Sequence, residues 1–226
     1  ESYLVSFFGR ANYIAFDRYM LTFTVRRDGS SRFEEHWATF PSAAFGWKIN
    51  EEPFLKNVKA FSELKLRLGW GKTGQQDGIG NYNYFASYNV NTSNKDGRYI
   101  IKGVNDEGIL YRPDAYNKKL KWETTTTWNA GLDFGFFNNR ITGSVDIYKR
   151  KTTDLINNAP APAGTNFRNS IPMNIGSLEN KGIEVALTVR PIQTTDWQWE
   201  VSGNFTYNKN EITELTGESS ILKTGG

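Results

Sequence analysis

The feature that most constrains this chain is a period-two alternation of apolar and polar residues that recurs along most of its length. Between Trp122 and Phe136 the even positions include Trp122, Trp128, Ala130, Leu132, Phe134 and Phe136, while the odd ones include Glu123, Thr125, Thr127, Asn129 and Asp133. Successive side chains of an extended strand point to opposite faces, so such a segment has one greasy face and one wet one. The same pattern sets Ile141, Val145 and Ile147 against Thr142, Ser144 and Asp146, and Ile183, Val185, Leu187 and Val189 against Glu184, Thr188 and Arg190. It returns with Trp197, Trp199, Val201, Phe205 and Tyr207 against Gln198, Glu200, Ser202, Asn204 and Thr206. Earlier, Tyr19, Leu21, Phe23 and Val25 oppose Thr22, Thr24 and Arg26, and Leu64, Leu66, Leu68 and Trp70 oppose Glu63, Lys65 and Arg67. Residues 3–16 and 38–49 complete a count of about eight strands. Pro41 falls inside the 38–49 run, where a missing N–H weakens a strand or marks a bulge.

The connections carry a second regularity. Asp17-Arg18, residues 50–60, Asn138-Asn139 and residues 191–196 form the shorter links; residues 28–37, about 73–118 and 157–175 form the longer, polar ones. Shorter and longer links therefore alternate. A transmembrane β-barrel has short turns at its inner side and long loops outside, whereas a soluble sandwich has no reason to keep that asymmetry. Strands of roughly 10–16 residues exceed the usual globular length of about 5–6 and suit a tilted membrane crossing. Trp47, Trp70, Trp122, Trp197 and Trp199 lie near expected strand ends, where an amphipathic indole suits the headgroup layer.

Bulk properties agree with this reading without deciding it. Mean hydropathy is −0.57, a value a barrel reaches because every second strand residue faces water. No run of about 18 apolar residues offers a membrane-spanning helix. The net charge of +3 is spread, with no basic run of the kind that binds nucleic acid. Cysteine is absent and His36 is the single histidine, so neither a Cys-based zinc site nor a disulfide frame is available.

Several stretches resemble a known family. Asn174-Ile175-Gly176-Ser177-Leu178-Glu179-Asn180-Lys181-Gly182-Ile183-Glu184 resembles a signature of the SusC/RagA-type TonB-linked outer-membrane proteins of Bacteroidetes. Leu120-Lys121-Trp122-Glu123, Gly131-Leu132-Asp133-Phe134, Tyr148-Lys149-Arg150-Lys151 and Phe40-Pro41-Ser42-Ala43 are similar to the same family's barrel. The resemblance implies an all-β, antiparallel transmembrane barrel segment, about eight strands of a larger barrel of about 22. It implies location in the bacterial outer membrane and TonB-dependent, non-enzymatic import of glycans or peptides delivered by a SusD-like surface lipoprotein. Residues 1–226 are then expected to be an internal barrel piece without plug domain or C-terminal strands, reaching the TonB complex only through N-terminal parts that it lacks. Outer-membrane lipid would surround it, and no nucleic-acid partner or cofactor is implied.

The candidate sites are few. Gly69-Trp70-Gly71-Lys72-Thr73-Gly74 lacks the first glycine of a phosphate loop, since Leu66 stands there, and reads as a strand end. Asp77-Gly78-Ile79-Gly80 and Asn94-Lys95-Asp96-Gly97 read as turns rather than calcium loops. His36 reads as a solvated loop residue. Glu123, Asp133, Asp146, Glu184 and Glu200 share the wet face with Arg26, Lys65, Arg67 and Arg190, a mixture that a water-filled lumen explains without catalysis. No catalytic, cofactor or metal residue is assigned. The long connection supplies the substrate- or partner-contact candidates Tyr82, Tyr84, Phe85, Tyr88, Tyr99 and Tyr111, whose rings can stack on sugars. Two other architectures share the alternation: a different outer-membrane barrel, such as an adhesin or barrel enzyme, and a soluble carbohydrate-binding β-sandwich with its apolar faces packed together.

Overall fold

The alternating segments become strands whose two faces stay in register from each strand to the next. The computed structural model describes residues 1–55, 58, 60–91, 110–113, 115–160 and 170–214. In chain order the strands are β1 (Leu4–Ala15), β2 (Tyr19–Ser30), β3 (Trp37–Lys48), β4 (Phe61–Gln75), β5 (Tyr88–Asn91), β6 (Leu110–Pro113), β7 (Glu123–Phe136), β8 (Ile141–Thr153), β9 (Ile156–Pro160), β10 (Ser170–Asn174), β11 (Ser177–Gln193) and β12 (Gln198–Glu214). The long strands form one antiparallel eight-stranded sheet, ordered β1-β2-β3-β4-β7-β8-β11-β12. The short pairs β5–β6 and β9–β10 are separate hairpins inside two of the long connections.

Register explains why the apolar residues make a continuous surface. Ala15, Tyr19, Trp47, Leu66, Leu132, Val145, Val185 and Phe205 are successive cross-strand partners, one row running through all eight strands. The neighbouring row on the other face runs Arg67, Gly131, Asp146, Glu184 and Thr206. A slip of one residue in any pairing would exchange the faces, so the alternation itself pins the register.

Among the described residues, no second layer covers the apolar face. Phe23, Leu68, Ile147, Leu187 and Phe205 are 42–61% exposed, which excludes the sandwich, whose apolar faces would cover one another. An uncovered greasy sheet face of this extent needs a non-aqueous neighbour.

Turn chemistry follows the residues. Phe137, Asn138 and Asn139 all have positive φ (52°, 55° and 61°), and the turn closes with the Arg140 N–H donating to the Phe137 carbonyl at 3.3 Å. Asparagine visits this region more readily than most residues. Pro41 does not break β3, because it pairs with Val25 on one side while the β3–β4 ladder begins only at Ser42. It thus occupies the edge-like position that tolerates a missing donor. The sequence 69–74, expected at a strand end, lies within β4, which continues to Gln75.

Candidate functional site

The buried apolar residues gather at the long-loop end of the sheet rather than between its faces. Phe33, Phe40, Ile79, Leu120 and Trp122 form this cluster, with Ala38 and Ile156 packed against it. Phe33 lies in the β2–β3 link, Phe40 on β3, Ile79 after β4, Leu120 and Trp122 before β7, and Ile156 on β9. One cluster thereby fastens three long connections together. The Trp122 ring stacks on Phe33 at 5.0 Å and meets Phe40 edge-on at 5.7 Å. Burying each large apolar side chain contributes about 1.5–3 kcal/mol, enough to order loops that would otherwise wander. Trp122 is therefore not a membrane-interface tryptophan as its place near a strand end suggested; at 7% exposure it anchors the loop cap.

Two asparagines clamp the same cap. The Asn174 side-chain amide donates to the carbonyls of Lys121 and Asp154, both at 2.8 Å, and its Oδ1 accepts the Lys121 N–H at 2.9 Å. The Asn117 amide donates to the Pro172 carbonyl at 3.0 Å, while its backbone N–H donates to the Asn83 carbonyl at 2.8 Å. Lys121 and Asp154 add an ion pair of 2.8 Å. These roles are silent in a single sequence, where Asn near Gly or Pro reads only as turn.

Of the six aromatic candidates, three have described side chains. Tyr82 is half exposed at φ +66°, and its hydroxyl donates to the Glu1 carbonyl at 3.2 Å. The Phe85 N–H donates to the Tyr82 carbonyl at 2.8 Å, a tight turn that leaves the Phe85 ring 62% exposed. Tyr84 instead meets the edge of the His36 ring at 6.3 Å. His36 Nδ1–H donates to the Phe33 carbonyl at 2.5 Å, a local, part-buried link within the β2–β3 connection. The structure adds Tyr116, 41% exposed beside the Asn117 clamp, which the sequence reading missed. Tyr88 and Tyr111 belong to β5 and β6, but their side chains lie outside the described residues, as does Tyr99 entirely.

The wet face carries a charge cluster at its middle. Arg67 forks onto Asp133 with two bonds of 2.8 Å and reaches Asp146 at 2.9 Å. Asp146 lies two strands away, across Gly131. A Cβ on Gly131 would fall 2.7 Å from Arg67 Nη2, so the glycine opens the passage. Both carboxylates are thus committed to one guanidinium. Arg190 similarly pairs with Glu200 at 2.7 Å.

At the short-turn end, Glu52 accepts from the Tyr19 hydroxyl at 2.6 Å, the Trp47 indole at 2.9 Å and Arg18 at 2.9 Å. The Tyr19 hydrogen bond, then that of Trp47, hold the Glu52 carboxyl below its ordinary range. The arrangement ties the belt aromatics of β2 and β3 to the link after β3.

Comparison with known proteins accounts for this architecture. Residues 2–225 match the family model described as TonB dependent receptor-like, beta-barrel. The chain is 54% identical over 95% of its length to the TonB-dependent receptor SusC of Bacteroides thetaiotaomicron, covering 21% of that protein. It is 39% identical over 99% of its length to the TonB-dependent receptor P39 of Formosa agariphila, covering 20% of it. The chain thus spans about a fifth of the length of these curated relatives. Among solved structures, the RagAB peptide importer in its closed-closed state matches with a TM-score of 0.78 at 35% identity, over 94% of this chain and 22% of that one. The siderophore receptor PirA from Pseudomonas aeruginosa, at 18% identity and a TM-score of 0.59 over 94% of this chain and 35% of that one, shares the fold alone. The uncovered apolar face is then the lipid face, and the Arg67 face lines the lumen. The chain belongs to the TonB-dependent receptor family and forms part of the β-barrel with which these receptors cross the outer membrane.

Proposed function

We propose that this chain is barrel wall and outer-mouth cap of a SusC-like importer, taking up glycans or peptides that a SusD-like surface lipoprotein delivers. The observation that carries the reading is the 54% identity to SusC across 95% of the chain. The outer mouth supports it chemically. Tyr82, Phe85 and Tyr116 present exposed rings around a cap held rigid by the Trp122 cluster. Flat rings stack on sugar faces or peptide side chains at low entropic cost, because the scaffold beneath is already ordered. On the same reading residues 1–226 belong to a single barrel domain whose connection at about 73–118 faces outward. Energy coupling runs through TonB, contacted by parts of the protein beyond this segment.

The test is genetic and biochemical. The full-length protein, affinity-tagged in its native host, should co-purify with a surface lipoprotein, and its deletion should abolish growth on one class of oligosaccharide or peptide. Tyr82→Ala with Phe85→Ala should reduce uptake at limiting substrate more than at saturating substrate. A receptor that purifies alone, with growth unaffected on every oligosaccharide and peptide tried, would remove the proposal.

A further inference from the structure

The lipid face is not apolar to its top. Where the greasy rows end, β7, β8, β11 and β12 place Trp128, Lys149, Lys181 and Lys209 in a single register row. One step toward the inner side the row reads Ala130, Ile147, Ile183 and Tyr207. Ammonium groups directly opposite one another on neighbouring strands repel, and here three stand side by side. Two glutamates temper them: Glu179 meets Lys149 at 2.8 Å and Lys181 at 3.6 Å, and Glu211 meets Lys181 at 3.7 Å and also pairs with Lys209. Lys151 stands opposite Glu179. Four lysines against two glutamates leave this patch with a surplus of two positive charges.

Below the lysines the surface is grooved. Leu68, Trp128, Ala130 and Ile147 line a hollow of about 510 Å³, with Lys149 and Lys181 at its lip. Their side chains are 52% and 49% exposed, so both ammonium groups retain room for a further partner. Because β7, β8 and β11 each have a neighbour on both sides, the hollow is a feature of the continuous wall and not of a strand edge. It faces lipid, and β8 ends at Thr153, four residues beyond Lys149, which puts the lip at headgroup height on the outer side.

We propose that this groove is a binding site for a membrane lipid bearing a phosphate monoester. The phosphate meets the exposed parts of the Lys149 and Lys181 side chains, beside the Glu179 carboxylate that bridges them, and one acyl chain lies along Trp128, Ala130 and Ile147. A phosphate monoester carries a charge of about −1.5 to −2, which matches the local surplus. A zwitterionic headgroup brings no net charge to offset the surplus. Free phosphate satisfies the lysines but leaves the apolar floor against other lipid chains. A second copy of the receptor docked on the same patch would set lysines against lysines. The amphiphile alone satisfies both halves of the site.

The test uses the full-length receptor, delipidated in detergent and examined by native mass spectrometry with phosphatidic acid, phosphatidylcholine of the same chains, and inorganic phosphate as competitor. Phosphatidic acid should bind in preference to phosphatidylcholine. Lys149→Gln and Lys181→Gln should each weaken it by about fivefold, the size of a surface Lys attraction at an anionic membrane. Trp128→Ala should also weaken it, while inorganic phosphate should fail to displace it. Heat-shifted gel migration checks that each variant is a folded barrel, and the Lys149→Arg, Lys181→Arg pair keeps the charge if the glutamines impair folding. Equal binding of the two lipids, unchanged binding in both Gln variants, displacement by inorganic phosphate, or an Arg pair that binds as poorly as the Gln pair each overturns the site.

Discussion

The Trp47 indole donates to Glu52 Oε1 at 2.9 Å, joining the last turn of β3's lipid face to the link that follows it. Tyr19, the cross-strand partner of Trp47, donates to the same oxygen at 2.6 Å. Two amphipathic rings at the inner rim thus point their polar tips at one carboxylate, while their bodies remain in the belt.

That geometry predicts an acid response. The folded Glu52 carboxyl titrates below its ordinary range, so its contribution is present at neutral pH. It should fade as pH falls through about 4 and onward through the lower folded value. The midpoint for heat-induced loss of the folded gel band should fall with acid in the native full-length protein. Glu52→Gln should begin lower at pH 7 and show a smaller acid-dependent drop. An identical pH profile for both proteins would refute the role.

Arg67 should matter more than either of its partners. Arg67→Met leaves Asp133 and Asp146 as two unpaired carboxylates on the neighbouring strands β7 and β8. The expected cost is about 1–2 kcal/mol, reduced from that of a buried network because the lumen is wet. Asp133→Asn should cost more than Asp146→Asn, since the guanidinium forks onto Asp133 and touches Asp146 with one nitrogen. Guanidinium chloride midpoints of the refolded barrel measure the order.

Gly143 should resist enlargement. A Cβ there meets the Ala186 carbonyl of β11 at 2.5 Å and the Phe134 ring at 2.7 Å. Backbone cannot swing aside as a side-chain end can, so Gly143→Ala should destabilise the β8–β11 pairing by about 1–3 kcal/mol. Gly9→Ala, where nothing stands within 4 Å of a new Cβ, is the control and should fold as the native protein does.

Loop and barrel should come apart under mutation. Asn174→Ala removes three hydrogen bonds, two that tie β10 to Lys121 before β7 and one that ties it to Asp154 after β8, worth about 1 kcal/mol each. Limited proteolysis should then cut within residues 115–122 or 154–176 many times faster. The denaturation midpoint of the barrel should stay put. A shared loss of both would mean that the cap and the wall form one cooperative unit.

Much of the wall was legible because its signal is periodic. Leu66, Leu132, Val185 and Phe205 alternate with polar neighbours, and that pattern is the face assignment itself. The lumen charges were legible as a set, but not the reach of Arg67 over Gly131, which depends on register between three strands. Trp122 misled, because an aromatic beside a strand end fits a membrane belt and a loop core equally well until Phe33 and Phe40 are seen to cover it. The hairpins β5–β6 and β9–β10 were hidden in segments whose Gly, Asn and Pro content reads as loop. Asn117 and Asn174 depend on carbonyls far along the chain, which no local pattern encodes.

The short hairpins hang between long strands that are already bonded to each other: β4 to β7, and β8 to β11. Removing or lengthening β5–β6 or β9–β10 therefore leaves every rung of the wall's ladder where it stood. The entropic cost of a longer connection grows only slowly with its length. The long-loop end of the sheet is accordingly free to vary while the wall keeps its register. Change at that end of the sheet becomes a matter of swapping inserts, with no refolding of the transmembrane frame.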